Sequence, residues 1–351
     1  LGINDPTTEN MCLNCHADNV PKSKQGNFFN IADGVGCESC HGGAENWLGQ
    51  HVSGMGSHTD NLNLGMNPTD NIFFKTNLCA SCHIGTKEKY VVHKLFGAGH
   101  PRLIFEIDTF LVNQPSHHRV DSDYLIRKSD PDRLKMWALG QVLSTKYTLN
   151  RLSDVKLSTD GMFPELSLFD CHACHRSLTK IYKGKKTQKT FKKVVGIPRI
   201  NDSNLIMLGI LSKVIAPNLS EKIVQGPNLL HQATSQSMND VATEAKKLLV
   251  SIEKLSKILE KTEFNNDIRN SLFISLLRSG SEGIFRDFTD AEQATMAIAS
   301  ILAYKSDEQS SKLSLINYSD LEAFYEVTKN FEEFFPDEFQ SISKKILTKV
   351  N

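Results

Sequence analysis

The sequence predicts a mainly α protein in two parts, a loop-rich N-terminal domain followed by a helical bundle domain. Three observations carry this expectation. All eight cysteines fall in four copies of the pattern Cys-x-x-Cys-His, and all four copies lie in residues 1–175. Composition changes near residue 180, since eleven of the twelve histidines and both tryptophans, Trp47 and Trp137, precede it. Beyond it, Val241, Ala245, Leu248, Ile252, Leu255 and Leu259 recur at alternating spacings of four and three, the mark of an amphipathic helix facing partner helices. A length of 351 residues accommodates two domains.

In chain order the four motifs are Cys12-Leu13-Asn14-Cys15-His16, Cys37-Glu38-Ser39-Cys40-His41, Cys79-Ala80-Ser81-Cys82-His83 and Cys171-His172-Ala173-Cys174-His175. This pattern is the attachment signature of a c-type haem. Two thiols three residues apart fit one helical turn and can bond the two vinyl groups of one porphyrin. The adjacent histidine then meets the iron. The expected cofactors are therefore four covalently bound haem c groups. Residues 1–180 read as a multihaem c-type cytochrome domain, with short helical turns around its motifs and a core that is largely porphyrin. Two alternatives use the same cysteines. Cys12/Cys15 with Cys37/Cys40, and Cys79/Cys82 with Cys171/Cys174, could form four-cysteine zinc sites. Zinc gives no reason for a histidine after every second cysteine, and disulfides between such close pairs make poor staples.

Each iron takes one ligand from its motif, and the sixth ligand sets its chemistry. Seven histidines lie outside the motif ligands and His172: His51, His58, His93, His100, His117, His118 and His231 would suffice for four bis-histidine sites. His93 and His100 flank Lys94–Gly99, where glycines allow close approach to a flat ring. His51 follows His41 by ten residues, past Trp47. His117 and His118 are adjacent, so one of them can ligate a given iron. The ranked candidates are His51, His93, His100 and His117. His58 ranks lower, and Met55 and Met66 are weaker alternatives. His172, between its cysteines, reads as a surface or propionate-facing residue.

Helices are expected at Leu103–Leu111 and Arg133–Leu143. Seven lysines without an acid, from Lys180 to Lys193, read as a solvated linker, placed at residues 181–199. The alternative is a cationic docking strip. Residues 200–351 read as a bundle of about six helices without cofactor. Thr289-x-x-Glu292 and Ser319-x-x-Glu322 read as capping boxes for Ala291–Tyr304 and the helix after it. Gly280 reads as a helix stop, and Pro336 as the break between helices near Asp320–Phe334 and Asp337–Thr348. His231 reads as an ordinary helix residue.

Forty basic and forty acidic residues cancel, so charge offers no support for nucleic-acid binding. No apolar run reaches membrane-spanning length. The start at Leu1, without a basic and apolar leader, reads as an exported form whose signal peptide has been removed. Covalent haem attachment takes place outside the cytoplasm, which points to a periplasmic or extracellular location.

Gly34-Val35-Gly36-Cys37-Glu38-Ser39-Cys40-His41-Gly42, followed by Trp47 and His51, resembles the multihaem cytochrome c-554 family. Gly99-His100-Pro101-Arg102-Leu103, Phe105-Glu106, the Pro115–His117 stretch and Phe169-Asp170-Cys171 with Ala173-Cys174-His175 resemble a larger branch of it that ends in a haemless helical domain. Fainter likeness runs through Gly196–Arg199 and Asp290–Ala303. The resemblance implies an exported electron carrier with closely packed, mostly bis-histidine haems, and the family also contains a haem with no sixth ligand. Family members usually carry a further motif upstream of the position of Cys12–His16, whose partner histidine resembles His51. Residues 1–11 hold no such motif. His51 is thus expected to ligate another haem, stay free, or reach a haem in a neighbouring subunit, as in extracellular cytochrome filaments.

The functional expectation is single-electron transfer between other cytochromes or redox enzymes, at low potential. One alternative is an enzyme with one open haem acting on a small nitrogen or sulfur species, although no constellation beyond the motifs argues for catalysis. The other is a subunit of a filament or larger redox complex.

Overall fold

The computed structural model describes residues 1–115, 121–128, 132–175, 197–303 and 313–351. His117, His118, Tyr304 and the lysines from Lys180 to Lys193 lie outside the described residues. Among those described, the chain is mainly α, and its one sheet is a two-stranded ribbon. No described helix is long and apolar enough to cross a membrane.

The first hundred residues form α1 (Asn10–His16), α2 (Cys37–His41), α3 (Leu48–Ser53), α4 (His58–Asn63), α5 (Ile72–His83) and α6 (His93–Gly97). Most of these are far shorter than a helix that is stable alone. Helices α1, α2 and α3 bury none of their own side chains. Caps hold α4 and α5: Ser57 and Asp60 form a capping box on α4, and the Asn71 side chain accepts from the Phe73 and Phe74 amides at the start of α5.

Next come α7 (Ile107–Asn113), α8 (Ser122–Arg127), α9 (Arg133–Leu152), α10 (Val155–Ser158), the ribbon of β1 (Thr159–Asp160) and β2 (Phe163–Pro164), and α11 (Cys171–Cys174). The helix expected at Leu103–Leu111 begins later, at Ile107, because Glu106 caps it. The Glu106 carboxylate accepts from the amides of Asp108 (2.9 Å) and Thr109 (2.8 Å). The helix expected at Arg133–Leu143 continues to Leu152 as the longest helix before residue 200. It packs against α5 and α7 on one side. At Gly140 an added Cβ would lie 2.9 Å from Ile107 Cγ2, so only glycine permits the α7 crossing.

The bundle comprises α12 (Ser203–Ile215), α13 (Pro217–Thr234), α14 (Met238–Lys261), α15 (Asn266–Ser281), α16 (Phe288–Leu302), α17 (Tyr318–Val327) and α18 (Pro336–Val350). The stripe from Val241 to Leu259 is buried in α14. It joins Trp137, Leu149, Leu152, Leu168 and Phe169 in one continuous apolar cluster, so α9 shares its core with residues 200–351. Each fully buried Leu or Phe in it contributes about 1.5–3 kcal/mol.

Helix ends differ from the sequence reading in instructive ways. Helix α16 begins at Phe288, capped by Asp287 rather than Thr289, and α17 begins at Tyr318 with an Asn317–Asp320 box. Aspartate caps more strongly than threonine, so Asp287 takes the position at α16. At α17 the reciprocal Asn317–Asp320 box sets the start two residues before Ser319. Gly280 lies inside α15 and does not end it. A Cβ there would come within 2.9 Å of Ser343 Cβ, so this glycine lets α18 approach. The chain turns instead at Gly283, with φ of +74°. Pro336 occupies the first turn of α18, where its missing N–H has no helical partner to lose.

Gly280→Ala is expected to lower stability despite alanine's better helix propensity. Overpacking costs roughly 1–3 kcal/mol against about 1 kcal/mol of propensity gained. Urea denaturation followed by circular dichroism measures the difference, and an unchanged or raised midpoint would disprove the close crossing.

Candidate functional site

Each motif occupies one helical turn, as its spacing requires. Cys12, Cys15 and His16 lie on α1, Cys37, Cys40 and His41 make up α2, and Cys79, Cys82 and His83 end α5. Cys171 and Cys174 bound α11, with His175 at its C-cap, donating its amide to Cys171 O at 2.8 Å.

Polar pins hold the first three motifs together. After α1, Asp18 accepts from the Gly36 amide at 3.2 Å and from Ser39 Oγ, fixing α2 beside α1. An added Cβ on Gly36 would meet Asp18 Oδ2 at 2.6 Å, so this approach also needs glycine. Asn67 secures the far end of α2 through its amide to His41 O (2.8 Å) and its side chain to Cys40 O (3.0 Å). The Cys15 and Cys82 thiols lie near enough to perturb each other's ionisation, which puts the first and third motifs side by side. Lys89 Nζ joins them as well, at 3.0 Å from Cys82 Sγ and 3.4 Å from Asn14 O.

Two motif histidines face a second histidine. The His16 and His100 ring centres are 6.2 Å apart, and those of His93 and His175 are 6.3 Å apart. Helix α6 and the turn after it supply both partners. His93 opens it, with its amide on Glu165 Oε1 at 2.8 Å. His100 follows its end, where Gly99 (φ +102°) turns the chain back and the His100 amide bonds Leu95 O. The His100 Nδ1 lies 2.8 Å from Pro101 O, an arrangement that leaves Nε2 available as a ligand.

Other histidines are placed differently. His83 lies against Phe105 (5.4 Å, nearly parallel) and edge to face with Phe110 (5.0 Å), and burial pulls its pKa down. Thr69 Oγ1 is 3.5 Å from His41 Nδ1. His51, exposed on α3, meets the edge of Trp47 and lies 3.4 Å from Asn61 Nδ2, and no contact between it and a motif histidine is found among the described residues. His58 is 3.1 Å from Asp70, which also pairs with Lys128.

The fourth motif is seated on the bundle. Asp170 caps α11, and its amide bonds Arg199 O at 2.7 Å. His172, half-buried, packs edge to face on Phe331 (5.2 Å) and Phe334 (5.9 Å) rather than standing free at the surface. Below it, Arg199 holds Asp202, Asp287 (2.9 Å) and Asp290 (3.2 Å). Burial first, and then the charge of Asp287, pushes the Asp170 carboxyl up to about 7.

A cleft of about 100 Å³ lies at Cys171. Ile84, Val91, Phe96 and Phe105 form apolar lining, and Arg102 and Arg151 supply cations. Arg102 is ion-paired to Glu292 at 3.1 Å. An apolar wall, an attachment thiol and cationic groups fit the flat, apolar body and anionic edge of haem c. Facing imidazoles fit its axial positions. Among the described residues, no group of three or more His, Cys, Asp or Glu side chains could hold a bare metal ion. A haem iron draws its equatorial ligands from the porphyrin and asks the protein for at most two.

The sequence reading missed Arg151, Glu165 and the Arg199 cluster. Isolated charged residues carry no periodic or motif signal, and only packing brings them to the fourth motif.

A family model described as cytochrome c554 and c-prime matches residues 2–42, which contain the first two motifs. This supports a c-type cytochrome with covalently bound haem c and a role in electron transport. No curated protein and no solved structure is significantly similar to the chain.

Next to Phe105, burial pushes the Glu106 carboxyl up to about 7, against the amide hydrogen bonds that favour its charge. The folded form therefore holds this proton more tightly than the unfolded chain does. Its contribution to stability is greatest below the ordinary carboxylate range and is lost as pH rises from about 4.5 through about 7. Glu106→Gln keeps an oxygen cap and is expected to flatten that part of the stability–pH curve. Denaturation midpoints measured across this range check it, and an unchanged slope would refute it.

Proposed function

We propose that the chain is a tetrahaem c-type cytochrome that carries single electrons between redox partners outside the cytoplasm. The observation that supports this reading best is the facing of His16 with His100 and of His93 with His175. Two metal–nitrogen bonds of about 2.0 Å, with about 1.1 Å from each nitrogen to its ring centre, would separate two imidazoles on one iron by roughly 6.2 Å. The two separations of 6.2 and 6.3 Å match that value.

In this reading Cys12/Cys15, Cys37/Cys40, Cys79/Cys82 and Cys171/Cys174 hold four haem c groups, with His16, His41, His83 and His175 as proximal ligands. His100 serves the first site and His93 the fourth. His117 remains the candidate for one of the other two. Haem c, when bound, supplies a one-electron iron couple whose potential follows from ligands and burial.

The chain's own residues set the order of the sites. Proximity of Cys15 and Cys82 joins the first and third, Asp18 ties the first to the second, and α6 with the turn after it links the first to the fourth. A compact path of this kind suits transfer between partners such as other cytochromes or redox enzymes. Assembly is a second reading, favoured by the exposure of His51 beside exposed Val52 and Met55. There His51 would ligate a haem of a neighbouring copy.

His100→Ala and His93→Ala are each expected to convert one haem of four to high spin in the oxidised protein. His51→Ala is expected to leave the dilute, monomeric protein unchanged. Electron paramagnetic resonance and the visible spectrum provide the readout. A His100 or His93 variant that stays wholly low-spin would rule out its pairing, and a high-spin haem in the unaltered protein would favour the open-haem enzyme.

A further inference from the structure

Arg151, near the end of α9, is 93% buried, with 7% of its surface exposed. Its guanidinium lies over the Tyr90 ring, 4.4 Å from the centroid, and Nη2 donates to Ser167 Oγ at 3.2 Å. Its Nε has no hydrogen-bond partner. No carboxylate ion pair to Arg151 is found among the described residues. Glu165 is near enough to favour its charge, yet Glu165 Oε1 is occupied by the His93 and Ser167 amides. A guanidinium remains charged in proteins. A buried cation without a paired anion is costly, so such a group calls for an anion in the mature molecule.

The cleft at Cys171 gives that anion a place. Arg151 and Cys171 both line it, and Glu165 connects Arg151 to His93, the ring that faces His175. Arg102 lines the same cleft but already has Glu292. Arg151 is thus the cation on this wall without an ion pair, with Glu165 only nearby.

We propose that Arg151 binds a propionate of the haem carried by Cys171 and Cys174, which holds that group in the cleft and raises its reduction potential. The inference rests on reading the fourth motif as a haem site.

The test is potentiometric titration of the holoprotein, unaltered and as Arg151→Gln and Arg151→Lys, from about pH 5 to about pH 8. In Arg151→Gln one of the four one-electron waves should move to lower potential. Loss of a nearby cation favours the more positive, oxidised iron. The expected change is about tenfold or more in that site's reduction equilibrium, roughly 59 mV for one electron. The same wave should become pH-dependent as the released propionate titrates, and Arg151→Lys should restore most of its position. Four unmoved waves, or an equal shift of all four, would overturn the proposal. If neither variant matures, infrared redox-difference spectra of the unaltered protein with ¹³C-labelled propionates decide. A carboxylate band constant over this pH range supports the proposal, and no pH-constant band overturns it. Mass analysis of the peptide 171–175 separates the two levels. An absent haem there defeats the site itself, whereas a present haem with unmoved waves defeats only the role of Arg151.

Discussion

The packing of α9 through the middle of the molecule is the constraint on which the other placements depend. Its buried residues contact α5 and α7 toward the motifs, and α12, α14 and α16 toward the bundle. Leu134, Trp137, Ala138 and Leu152 are fully buried along it, so any shift of α9 would open cavities on both sides. Through α5 it places the third motif, and through α7 the Phe105–Glu106 corner against His83. Its last turn carries Arg151 to the fourth motif.

The motif region is held on other terms. Helices α1 to α3 contribute no buried side chains, and the apolar cluster that reaches this side is small, centred on Ala80, Phe105, Ile107 and Met136. Directional contacts take the place of a core: Asp18 on Gly36 and Ser39, Asn67 on α2, Lys89 between two motifs, Glu165 on His93. Each is worth little alone. Together they fix four attachment turns relative to one another. In the proposed holoprotein, buried porphyrin area would supply the missing apolar mass. Such an architecture suits a carrier, whose task is to keep several redox centres close and stationary.

The fourth motif shows how the two halves become one unit. His172 rests on Phe331 and Phe334, Asp170 reaches the backbone of Arg199, and Arg102 crosses to Glu292 and Phe288. The bundle therefore serves as the floor under one site as well as a separate mass of helix. Its acidic cluster around Arg199 places charges, several with raised pKa, directly below that site.

Much of this was legible in the chain. Four Cys-x-x-Cys-His patterns specify chemistry locally, because attachment needs only one helical turn. The Val241–Leu259 stripe specifies a buried helix face for the same reason, since one period suffices. Helix ends were read less well. Asp287 displaced Thr289, and Gly280 served a helix crossing, because caps and glycines answer to neighbours that are distant in sequence. By itself the sequence determined the four motif turns, the helical class and the pool of histidines, all of which depend on residues a few positions apart. The tertiary structure alone decided which histidines face each other, that His93 at the start of α6 and His100 just past its end address different motifs, and where Arg151 ends up. Those depend on contacts across 82 residues for His93 with His175 and 84 for His16 with His100, which no local pattern encodes.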